Sequence, residues 1–257
     1  MYVARTKLRP RNRLVQSGPE RKTISVHSEM LESFPKSFKD KVDKRSDSVE
    51  LDDVDMDTFA RCCEYIYTGD YSEPQPSYEP SREAGSSLSD TSMPVVVHAN
   101  IFSDASDIRE KWAQAFEDLG FKPPLETRRN NASANHTAIF LTHARVVSFA
   151  TRHGWESLST LASYKMFYAL ADFRLFEQRI ADVVQLLHYT FRGDSETSAL
   201  FETVLAYHAA WNVRRLMSNE NFRLFLKDVP SFSTTILTLL CNINPAPLPD
   251  IRANDKI

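Results

Sequence analysis

The chain has 257 residues, 42% hydrophobic and 25% charged, an ordinary globular composition with room for one large or two small packed domains. A net charge of -3 excludes a global basic field, so nucleic-acid binding would have to rest on a local patch, and none stands out in the segments that read as folded. Three cysteines are too few for a disulfide framework, and no apolar run reaches the roughly 18–20 residues of a membrane span; the expectation is a soluble, intracellular protein, cytoplasmic or nuclear.

Residues 1–21 hold Arg5, Lys7, Arg9, Arg11, Arg13 and Arg21 against the single acid Glu20. With few apolar groups to order them they read as a basic, solvated, disordered arm. Such a charge run also admits a nuclear-localisation patch, an anionic-surface tether or a transit peptide. A strand is expected over 22–26, where Ile24 and Val26 share a face, and a helical segment with Met30, Leu31 and Phe34 follows it. No second ligand-type residue stands near His27, so its expected role is structural, with a ring nitrogen bonded to local backbone. Pro35 restarts the chain as a short helix bearing Phe38 and Val42. Residues 40–47 read as a charged loop, and 48–51 as a second strand.

Residues 54–71, VDMDTFARCCEYIYTGDY, carry the strongest local signal. Phe59, Cys62, Cys63 and Ile66 recur at i, i+3, i+4 and i+7, which lines four apolar groups along one helix face. Asp55 stands at the N-cap, Val54 and Phe59 have the spacing of a hydrophobic staple, and Gly69 stops the helix. The acids Asp52, Asp53, Asp55 and Asp57 lack the Gly and distal Glu of a calcium loop, so their expected work is capping and interaction with the helix dipole. The paired cysteines sit past the first turn on the apolar face and read as core.

Residues 72–137 read as an insertion, mostly disordered, because Pro74, Pro76, Pro80 and Pro94 fall among polar residues. Within it, 95–97 is a candidate strand and 106–119 a candidate helix, with Ile108, Trp112, Ala115, Phe116 and Leu119 at helical spacing. Asn131 and Asn135 begin glycosylation sequons, but no secretory signal is read, so no glycan is expected. The second half is helical almost throughout: one helix with Val146, Val147 and Ala150 ends at Gly154, a second runs from Leu158 to Ala169, and a third carries Ile180, Val183, Val184, Leu187 and Phe191. Further apolar stripes contain Phe201, Val204, Leu205 and Trp211, then Phe222, Phe225 and Leu226, then Ile236, Leu237, Leu239 and Leu240. Residues 244–257 form a tail.

Only six glycines are present, and the chain has no P-loop, no G-x-G-x-x-G, no nucleophile elbow, no C-x-x-C and no H-E-x-x-H. The reading is a non-enzyme, with no catalytic residue, metal or cofactor.

The stretches VHSEMLESFPKSF, VELDDVDMDTF and YIYTGDY, followed by HARVVSFATRHGWESLSTLASYKM, resemble the BTB/POZ interaction domain, particularly fungal-type members. The resemblance implies an α+β, predominantly helical fold: a small sheet surrounded by helices, with a first half over 22–71, closing helices over 138–192 and a helical extension over 193–243. It implies a protein–protein adaptor or scaffold, with a cullin-type ubiquitin ligase assembly or self-association among its partners. The alternative class is a nuclear or transcriptional regulator that uses the basic arm. In cullin-binding members an apolar-x-Glu motif precedes the second of these strands; its nearest counterpart here is Val42-Asp43-Lys44, with a cation in the acid's place. Tyr67 matches a position that can face cullin, and Asp70 lies beside it on the helix's exposed end. The family's opening strand has no counterpart in the basic arm beyond a fragment at residues 2–4, which would leave a sheet edge unpaired.

Overall fold

Strand alternation organises the N-terminal part of the chain. In β1 (Asn12–Ser17) Val15 is fully buried and Leu14 half exposed, and in β2 (Lys22–His27) Val26 is buried while Ser25 and His27 face water. The computed structural model describes residues 12–17, 22–40, 48–51, 54–78, 130–192 and 196–243, with the helical residues Gln114 and Glu117. β3 (Ser48–Leu51) completes a three-stranded sheet of order β2-β1-β3. β1 runs antiparallel to β2, pairing Val15 with Ile24, and parallel to β3, pairing Val15 with Val49.

This sheet corrects two expectations. Residues 12–17, assigned to a disordered arm, form its central strand, and the sheet does not lack an opening strand. One buried valine within a run of cations gives almost no pattern to read, but a central strand receives hydrogen bonds from both neighbours, and those come from residues distant in sequence. His27 is also corrected: it stands at the N-cap of α1 (Ser28–Leu31) without a side-chain capping bond and with its ring exposed, because alternation turns it away from the buried Val26.

After α1 the chain bends, placing Phe34 in a turn, and α2 (Lys36–Lys39) begins after Pro35. The long α3 (Met56–Thr68) follows β3. Two residues of β4 (Ser77–Tyr78) then pair antiparallel with two of β5 (Ala134–Asn135), so the insertion leaves and re-enters the fold at one place. Its ends are therefore structured, where a mostly disordered insertion was expected over 72–137. The sequon residues Asn131 and Asn135 shape the return: Asn131 Oδ1 accepts the Ala134 N–H at 2.9 Å, and Asn135 Oδ1 accepts that of Thr137 at 2.9 Å. Residues 95–97, Val42, Lys44, the tail 244–257 and all of the 106–119 helix but Gln114 and Glu117 lie outside the described residues.

The remainder is helical. α4 (Thr137–Arg152), α5 (Glu156–Asp172), α6 (Ile180–Arg192), α7 (Ala199–Trp211), α8 (Val213–Leu216), α9 (Glu220–Asp228) and α10 (Pro230–Ile243) follow, with a 3-10 turn at Glu177–Arg179. The short turn and α8 carry too few residues to show a period. α4 packs on α3, α5 and α6, while α7 joins α5 to α10. Gly154, at φ +66°, makes the left-handed turn between α4 and α5. The described fold is α+β and mostly helical.

Across the two halves lies a cluster of rings. Phe34 stacks on Phe38 at 4.4 Å and on Phe59 at 5.6 Å, while Phe38 meets Phe149 of α4 at 5.7 Å and Trp155 lies 5.3 Å from Phe34. Ser37 adds a hydrogen bond to the His153 carbonyl at 2.7 Å. No single described helix is long and apolar enough to cross a membrane; α9 and α10 together are, but they bend by 106° and bury Phe222, Phe225, Phe232 and Ile236 in the core.

The central position of β1 sets a contrast between neighbours. Val15→Asp, which puts an unpaired charge into the core, is expected to cost about 3–5 kcal/mol of unfolding free energy. Leu14→Asp, on the outer face, should stay within about 0.5 kcal/mol. Urea denaturation of both variants measures the difference, and equal effects would contradict the strand's register.

Candidate interaction surface

α3 is built from local signals, and each side of it has a distinct use. At its start the Asp55 carboxylate accepts the Thr58 N–H at 2.9 Å and the Thr58 hydroxyl at 2.6 Å, and Val54 and Phe59 are both buried, as a staple requires. Phe59, Cys62 and Cys63 are buried and Ile66 packs half-buried against the same core. Burial raises the Cys62 thiol pKa well above its ordinary value and pushes Cys63 up to about 12, so both are inert packing groups. Gly69, at φ +77°, closes the helix in the left-handed conformation and donates its N–H to the Tyr65 carbonyl at 2.8 Å.

The final turn separates its tyrosines. Tyr65 points inward and meets Trp155 edge-on at 5.4 Å, whereas Tyr67 is 60% exposed. Beyond Gly69 the chain folds back along α3: Ser72 donates its N–H and hydroxyl to Glu64 Oε2 at 2.8 and 2.9 Å, and Arg61 Nε donates to the Ser72 carbonyl at 3.2 Å. Asp70 accepts the Tyr71 N–H at 2.7 Å and pairs with Lys165 of α5 at 2.9 Å. Partial burial opposes its ionisation, but Lys165 and the Tyr71 N–H outweigh that and hold it below the usual carboxylate range.

Lys165 also lies 3.5 Å from Glu73 and 4.9 Å from the centre of the Tyr71 ring. Tyr71 is buried, and its hydroxyl lies 2.7 Å from Nδ1 of His143, which is fully buried in α4. His143 Nε2 has no hydrogen-bond partner but faces the Glu73 carboxylate at 3.6 Å. A neutral ring protonated at Nε2 satisfies both sides: the Tyr71 hydroxyl donates to Nδ1, and the Nε2 proton points at a negative charge. Complete burial, with Lys165 and Arg61 nearby, pushes the His143 pKa down to about 3.

Tyr67 and Asp70 both stand exposed at or just beyond the C-terminal end of α3, and Asp70 is held in an ion pair. Tyr71, Glu73, His143 and Lys165, which fix this end, were not singled out in the sequence; Tyr71 and His143 lie 72 residues apart along the chain, and Lys165 lies further still from Asp70 and Glu73. Among the described residues, no three His, Cys, Asp or Glu side chains gather as a metal site. The sequence matches no protein-family model, and no curated protein matches it.

The buried histidines give the fold a signed pH dependence. In the unfolded chain His143 titrates near 6.5, and in the folded protein near 3; burial likewise lowers His208 to about 4. Between these values the unfolded state holds more protons, so stability is full above about pH 6.5 and falls on acidification, at a limit of about 1.4 kcal/mol per pH unit for each histidine. Tyr71→Phe should cost about 1–3 kcal/mol by leaving Nδ1 unpaired. His143→Gln should lower the proton uptake on unfolding by about half a proton at about pH 6.5, rising to nearly one near about pH 5. The pH dependence of urea unfolding reads that uptake, and an unchanged slope would remove His143 as its source.

Proposed function

We propose that the protein is a non-enzymatic protein–protein interaction module of BTB/POZ type, acting as an adaptor or scaffold, with a cullin-type ubiquitin ligase or a second copy of itself among the partners. The observation that carries this reading is Tyr67: a 60% exposed aromatic on a helix end whose opposite side is committed to the core and whose following turn is clamped by Asp70, Glu64 and Lys165. Aromatic groups held rigidly on a surface lose little freedom on binding and are frequent anchors of interfaces. The β2-β1-β3 sheet also supports the reading, since it supplies the opening strand that the resemblance calls for. The regulator reading rests on the basic arm 1–21, of which residues 1–11 and 18–21 lie outside the described residues and β1 takes Arg13.

The test uses the full chain as bait in affinity capture, beside Tyr67→Ala. Wild type should retain a set of proteins that the variant depletes by roughly tenfold or more, the loss expected for an interface anchor. Equal retention would remove Tyr67 as the anchor, and absence of any cullin from the set would remove the ligase form. Sedimentation of the purified chain decides self-association.

A further inference from the structure

We draw no further inference here: the strongest candidate, the uncharged outer face of α10 around the exposed Leu237, carries nothing because nothing in the structure shows what covers it.

Discussion

The fold depends on the contact of Phe34, Phe38 and Phe59 with Phe149 and Trp155. These rings come from α1–α2, α3 and α4–α5, elements on opposite sides of the insertion, and the stack of Phe34 on Phe38 and Phe59 leaves its other flank to the second half. The first half has little other apolar surface with which to replace that contact, since α3 has one stripe and the sheet one buried face. Once the rings meet, the described segments on either side, 60–78 and 130–148, have fixed ends. The chain must exit after Tyr71 and return before α4, and it does both at the β4–β5 ribbon, where Tyr78 faces Ala134. Asp182 of α6 reinforces the return by accepting the His136 N–H at 2.8 Å.

The polar groups behind Tyr67 differ in what they contribute. Asp70 and Glu73 are largely exposed, and ion pairs in water are worth little because solvent screens them and long side chains lose freedom. The buried bond between Tyr71 and His143 is the stronger constraint, since either group left alone would carry an unmet hydrogen-bonding requirement in an apolar surrounding. It joins the segment just after Gly69 to α4, while Lys165 joins the same segment to α5. The end of α3 is thus held from two directions, and the exposed Tyr67 inherits a fixed position from contacts that it does not itself make.

How much of this could be read from the sequence depends on the range of each interaction. α3 was legible in full because its cap, staple, stripe and stop all act within a few residues: Asp55 reaches Thr58, and Gly69 reaches Tyr65. The helices of the second half were legible through their apolar periods. β1 was not, because it lies in an arm whose evident feature is positive charge and its reason for being a strand is pairing with residues 22–27 and 48–51. The ribbon of two residues on each side is shorter than any period. The same limit applies to the site: Tyr67 could be marked from the helix end, but the Tyr71–His143 bond arises only where separate elements meet.

Where the chain leaves the described fold after Tyr78 and returns at Asn130, its neck is secured by the β4–β5 pairs, the Asn131 turn and Asp182, apart from the ring cluster. The neck is separated from Tyr67 by the Tyr71–His143 bond and the Lys165 pairs, which must be broken before strain at Ser77 and Tyr78 can reach the end of α3. The neck and the end of α3 are therefore held by separate sets of contacts, and the fixed points lie between the two.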